Sequence, residues 1–197
     1  MRTSMPVIGV ALVWVLMASC SSDPGTQPNG NVTGLVPDFS LQDVNFRSPT
    51  YEQQVSLSSL EGQIVILFFG DLECTVCTAQ FGGVREVAAD LENEGLMGLT
   101  LMWVNPHIAD WQVYQLEANP EFWGTFLSPV LQDVLENETN KVGSLLNCTK
   151  GKEVVIIDRV RHLHRKVESG LEGEAEINLE TTAGQDSLAG WIREIDA

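Results

Sequence analysis

The stretch from Ile64 to Leu91 restricts the possible folds more than any other part of the chain. It reads Ile-Val-Ile-Leu-Phe-Phe-Gly-Asp-Leu-Glu-Cys-Thr-Val-Cys and then becomes helical in pattern. The apolar run is rich in β-branched and aromatic residues and ends at Gly70, which is the signature of a buried strand. Cys74 and Cys77 stand where a helix would begin, and Phe81, Val84, Val87, Ala88 and Leu91 follow at helical spacing. The order is strand, loop, dithiol, helix, and it presents a thiol at a strand's C-terminal end. Gly82 and Gly83 interrupt the helix, each at about 1 kcal/mol relative to Ala, which calls for a neighbouring element packed close to them. The helix is expected to stop near Gly95. A second apolar strand follows at Leu99 to Val104, so that strand, helix and strand form a right-handed parallel unit.

Cysteines at i and i+3 share the first turn of a helix, which holds two sulfurs near disulfide geometry in either redox state. The helix N-terminus favours the thiolate of Cys74, making it the attacking group, while Cys77 lies one turn inward and resolves the mixed disulfide. Asp71 and Glu73 act in the opposite sense, since nearby carboxylates disfavour a thiolate. A modestly lowered Cys74 pKa is the expected balance. Structural zinc would need four ligands, and a second close pair is missing. A passive structural disulfide is the other alternative, because a secreted protein can oxidise such a pair.

The remaining elements are read from pattern. Val36 to Leu41 and Val55 to Leu60 alternate apolar and polar residues and suggest two short strands. Asp110 can cap a helix over Trp111 to Ala118, ended by Asn119-Pro120. Trp111, Tyr114, Phe122, Trp123 and Phe126 crowd this region, either packing an insertion onto the sheet or forming a lid beside the dithiol. Val142, Leu145 and Leu146 suggest a short helix, and Glu153 to Asp158 a third buried strand, paired as a hairpin with His162 to Glu168. Leu188, Trp191, Ile192 and Ile195 give a C-terminal helix packed by one face.

Charge and the N-terminus bound the setting. With 11 Lys and Arg against 27 Asp and Glu, the net charge of -16 argues against nucleic-acid binding by phosphate neutralisation and against electrostatic docking on anionic lipid. Arg2, the apolar stretch Pro6 to Ala18 and the small residues before Cys20 form a targeting signal over residues 1–19, too short for a membrane-spanning helix. Leu16-Met17-Ala18-Ser19-Cys20 resembles the lipobox of bacterial lipoproteins. That resemblance implies acylation of Cys20 and a lipid-anchored, extracytoplasmic location in the cell envelope, with the outer membrane favoured because Ser21 rather than Asp follows the cysteine. Residues 20–34, full of turn formers, are the lipidated cysteine and a flexible tether, and the domain proper is 35–197.

Pro37-Asp38-Phe39-Ser40-Leu41, then Val55 to Gly62, a buried strand and Cys-x-x-Cys together resemble the redoxin branch of the thioredoxin superfamily, which includes membrane-tethered thiol-disulfide oxidoreductases and peroxiredoxins. The resemblance implies an α/β thioredoxin-like fold, a mixed central sheet flanked by helices, with an N-terminal redoxin-type extension. Glu73 stands where many redoxins have an aromatic residue. Thr149-Lys150-Gly151-Lys152 precedes the third strand where such enzymes usually carry a cis-proline, and Gly151 is expected to supply the close backbone approach instead. Cys74 to Cys77, Val104-Asn105, Pro129 to Gln132, Glu136 to Asn140, Leu145 to Asn147 and Ile157 to Arg159 resemble the N-terminal domain of selenoprotein P, with Cys74 at the selenocysteine position; that domain also lacks the proline.

Three further groups are candidates. Cys148 falls where the cis-proline would sit, and is either a buried free thiol or a third redox participant. His162 and His164 alternate on one strand and could pair with His107 around a metal, or simply be exposed. Arg159, Arg161, Arg165 and Lys166 concentrate positive charge on the same hairpin, either paired with nearby acids or facing an anionic partner. The expected function is an extracytoplasmic thiol-disulfide oxidoreductase acting on protein or small-molecule thiols and disulfides, with no cofactor implied. The alternatives are a thiol peroxidase, for which no peroxide pocket is identifiable, a copper or soft-metal carrier using both cysteines and a histidine, and a non-catalytic interaction domain.

Overall fold

The structure is a computed structural model, and it describes residues 34–71, 74–106, 124–133, 141–148, 151–171 and 173–197. The expected signal, Cys20, Glu73, His107, the helix over 111–118 with its aromatic residues through Trp123, the 136–140 segment and Thr149-Lys150 lie outside these.

Strand β3 (Ile64–Phe69) is buried along its whole length, which is why it reads as an unbroken apolar run rather than an alternating one. Ile64, Ile66 and Phe68 enter one core layer, and Val65, Leu67 and Phe69 enter the other. Helix α1 (Thr75–Asn93) returns the chain to β4 (Leu99–Asn105), which pairs with β3 in parallel. β1 (Ser40–Asp43), β2 (Gln54–Ser56) and β5 (Val130–Gln132) extend the sheet on the β4 side; β6 (Glu153–Ile157) and β7 (Leu163–Glu168) extend it on the β3 side. Among the described residues the strand order is β2-β1-β5-β4-β3-β6-β7. β3/β4 and β4/β5 are parallel, and the β1/β2, β1/β5, β3/β6 and β6/β7 pairs are antiparallel. This is a thioredoxin-like mixed sheet. Helix α1 and the C-terminal helix α3 (Thr182–Asp196) cover one face, with Val84, Leu188 and Ile192 in the shared core. The N-terminal extension and the short helix α2 (Lys141–Leu145) cover the other, through Phe39, Leu57, Val142 and Leu146.

Two expectations are corrected. The first extension strand runs Ser40–Asp43 rather than Val36 to Leu41, because the ladder partners lie there: Ser40 to Gln42 pair with β2, and Gln42 and Asp43 pair with β5. Alternation over Val55 to Leu60 suggests a strand, but Leu57–Leu60 is a 3-10 turn. Ser56 Oγ accepts the Ser59 N–H and Asp38 Oδ1 accepts the Ser58 N–H, so serine side chains and an aspartate redirect the backbone out of the ladder. The Ser58 hydroxyl, and then its N–H, hold the Asp38 carboxyl below its ordinary pKa.

Candidate active site around Cys74 and Cys77

The site is built where β3 ends. Gly70 continues the ladder by donating its N–H to Val104 O, and a Cβ at this position would stand 2.6 Å from the Phe68 ring and 2.7 Å from Trp103. Only glycine lets the chain leave the strand over this aromatic pair. Asp71 O then accepts the Cys74 N–H at 3.1 Å, tightening the loop into the helix.

Cys74 is the N-cap of α1. Its backbone is extended, and its Sγ accepts the Cys77 N–H at 3.1 Å, in the role an Asn or Ser oxygen plays in other helices. The two cysteines are joined as a disulfide, with their Cα atoms 5.2 Å apart. Cys74 is half-buried, whereas Cys77 is only 2% exposed and belongs to the α1 core layer. A solvent thiol can therefore reach the Cys74 sulfur far more readily than that of Cys77. The N–H that caps the helix is already directed at the atom that would carry negative charge after reduction.

One turn beyond Cys77, Phe81 anchors the helix. Its ring meets Trp103 edge-on at 4.9 Å, Phe126 at 5.1 Å and Phe68 at 5.2 Å. Phe126 is thus a core residue, as the packing alternative has it, and not part of a lid. Gly83 explains the glycine pair in part: a Cβ there would overlap the Leu179 carbonyl, so the loop before α3 is the close neighbour that the sequence leaves unnamed. Buried Gln80 secures the same loop, its Oε1 accepting the Leu179 N–H at 2.8 Å and its Nε2 donating to Asn178 Oδ1 and Glu180 Oε1.

The structure does not bring the other candidates to this site. Cys148 is a buried free thiol in the opposite core layer, beyond the sheet from Cys77. Burial, then the charge of Glu153, push its pKa up, with Lys166 opposing and Asp133 adding to the rise. Gly151 has a φ of +71°, and among the described residues a Cβ there would meet nothing within 4 Å, so its left-handed backbone is the reason for glycine. His162 and His164 flank the turn at the Ile157 end of β6. Because Val65 pairs with Ile157 and Phe69 with Glu153, that turn lies at the opposite end of β3 from the dithiol, about 20 Å away for a six-residue strand. These histidines instead face acids: His162 Nδ1 lies 3.6 Å from Asp158 Oδ2 and His164 Nε2 lies 3.7 Å from Glu194 Oε2. The carrier alternative therefore has no partner for the dithiol in His162 or His164. The hairpin cations are likewise engaged internally: Arg159 with Asp196, Gly62 O and Met97 O, and Arg165 over the Trp191 ring at 4.2 Å.

Besides Asp43, two buried acids escape sequence reading. Asp133 accepts the Val142 and Gly143 N–H groups at 2.9 and 2.7 Å and so starts α2. Glu153 opens β6 beside Lys166, whose Nζ donates to Leu146 O and Asn147 O. Each sits in a stretch that reads as loop or strand end, and only the long-range fold supplies its partners.

Comparison with known proteins agrees with this architecture. The model of the AhpC/TSA family matches residues 32–117. No curated protein matches the chain. Among solved structures, the protein assigned as thiol:disulfide interchange protein DsbE from Chlorobium tepidum superposes with a TM-score of 0.59 at 18% identity, over 84% of this chain and 97% of that one. Peroxidoxin BcpB from Mycobacterium tuberculosis gives 0.59 at 18% identity, over 85% and 99%. A thiol:disulfide interchange protein from Bacteroides sp. gives 0.55 at 15% identity, over 84% and 90%.

Proposed function

We propose that this chain is an extracytoplasmic thiol-disulfide oxidoreductase in which Cys74 attacks and Cys77 resolves. The observation that carries the reading is the placement of the dithiol: Cys74 Sγ caps α1 at the open end of β3 while Cys77 is buried one turn behind it. After reduction, the Cys74 thiolate attacks one sulfur of a substrate disulfide. That bond breaks, and the departing sulfur takes a proton from solvent. Cys77 then loses its proton and attacks Cys74 Sγ, releasing the second substrate thiol and restoring the Cys74–Cys77 disulfide. An external dithiol must reduce the pair again for turnover. The family match supports a redox role for the pair, and the exposure of Cys74 against the burial of Cys77 supports this direction of attack.

Insulin-disulfide reduction tests it. Cys74→Ser is expected to abolish activity, and Cys77→Ser to accumulate a mixed disulfide with substrate through Cys74. Equal activity of wild type and Cys74→Ser would remove the reading.

The AhpC/TSA match favours one second reading, peroxide reduction by the same pair. Cys74 would take one peroxide oxygen as a sulfenic acid, releasing an alcohol or water, and Cys77 would displace water to form the disulfide. Peroxide consumption by the reduced protein, compared with its insulin activity, separates the two.

The location belongs to the same proposal. The signal at 1–19 and the lipobox-like ending place Cys20 as a lipidated N-terminus, residues 20–34 as its tether and 35–197 as the redox domain, with the outer membrane favoured. No helix among the described residues is long and apolar enough to cross a membrane. Cys20→Ala is expected to abolish acyl mass on the mature protein and release it from membranes; an unchanged mass and membrane fraction would defeat the anchor.

A further inference from the structure

The chain enters the domain at the end of the sheet opposite the dithiol. Leu163 donates its N–H to Gly34 O, Leu35 bridges to His162, and Val36 donates to Arg161 O, so residue 34 sits against the β6–β7 turn. Two neighbouring turns complete this pole. Arg159 reaches from the β6–β7 turn to Gly62 O, before β3, and to Met97 O, before β4. At these turn tips Leu35, Met97 and Val160 are 57%, 77% and 59% exposed. Isolated exposed apolar side chains need no explanation, but three at one pole, around the point where the tether arrives, form a set.

The charges of the pole are mixed, with acids in excess. Arg159 meets Asp196, Arg193 makes a bidentate pair with Glu94, the charge of Arg161 acts on Asp38, and His162 and His164 face Asp158 and Glu194. Exposed Glu61 stands beside them. The chain as a whole carries -16, with four of its 11 Lys and Arg between residues 159 and 166. Contact at this pole would therefore come from its apolar tips and not from charge attraction.

We propose that this pole, through Leu35, Met97 and Val160, rests on the headgroup region of the bilayer that holds the Cys20 anchor, with the dithiol directed away from it. The inference rests on the proposed lipidation of Cys20. Thirteen residues separate Cys20 from Gly34, and a coil of that length reaches roughly 20 Å, which keeps the pole within contact range of the surface. The apolar tips enter the interface, while Arg159 and Arg193 stay paired within the protein. Cys74 then lies on the far side of the domain. The redox partner implied by that orientation is a soluble protein or small molecule approaching from the aqueous side, not a disulfide at the membrane surface.

The test uses the mature lipidated protein on vesicles of phosphatidylethanolamine and phosphatidylglycerol, beside the same protein lacking the acylated cysteine. Flotation reports the anchor, and hydrogen exchange reports the orientation. Exchange of residues 95–98 and 159–163 is expected to slow several-fold on vesicles, with residues 74–80 unchanged. The double variant Met97→Asp/Val160→Asp should float equally well and return the pole to its solution exchange rate. Flotation without protection of the pole, protection of 74–80 instead, or protection that survives the double variant would overturn the orientation. Failure to float would overturn the anchor, and the orientation with it.

Discussion

Cys74 and Cys148 are the same functional group in two settings. Cys74 caps a helix and accepts an N–H, both of which favour a thiolate, and it is only half-buried, so solvent reagents reach it. Cys148 is enclosed in an apolar layer, and burial and Glu153 hold its proton on. Brief treatment of the reduced native protein with iodoacetamide is expected to modify Cys74 and leave Cys148 unmodified until the fold is lost; peptide mass analysis reads the outcome. Cys148 also sets a slope in stability. Its folded pKa lies above the ordinary value of 9.0, so above pH 9 the unfolded chain releases this proton first while the folded one retains it. The folded state then binds more protons, and stability falls as pH rises. Cys148→Ala is expected to flatten that alkaline fall in urea-melt midpoints measured on either side of pH 9, though it lowers the midpoint at neutral pH by creating a small cavity.

The elements around the dithiol depend on the meeting of α1 with the loop before α3. Gly83 lies against Leu179 O and Gly184 against Asn178 O, while Gln80 takes up the Leu179 N–H. Gly83→Ala is expected to destabilise the fold by about 1–3 kcal/mol through overpacking. Gln80→Leu should lose a similar ~1–3 kcal/mol, because a buried N–H is left unmet. Denaturant melts check both. Phe81→Ala removes the centre of the aromatic cluster, with an expected loss of about 3–5 kcal/mol in the same melts. Much of this architecture is legible in the sequence: the run Ile64–Phe69, the helical spacing from Phe81 to Leu91, the β6–β7 hairpin and the C-terminal helix each carry a local period or turn signal. The positions of the two cysteines are legible for the same reason, since the strand end and helix start are both local. The rest depends on distant partners. Gly83 reads as a helix defect until Leu179 is beside it, and Leu57–Leu60 reads as a strand until Ser56 and Asp38 bond its N–H groups. The distance between His162 and the dithiol follows only from the antiparallel register of β6 on β3.

At the scale of the molecule, the sheet separates two tasks. The parallel β3-α1-β4 unit positions the Cys74–Cys77 pair, and the N-terminal extension closes the opposite core layer. That extension is tied in at a long separation: Asp43 Oδ1 accepts the N–H of Val130, 87 residues later, and β1 pairs with β5 alone on its inner side among the described residues. A chain made N-terminus first therefore delivers the extension long before its mate. β3, α1 and β4 can associate early through near neighbours, but Phe39, Leu41 and Leu57 have nowhere to dock until residue 130 has followed. For that interval an apolar segment is exposed, a hazard that chaperones would have to shield.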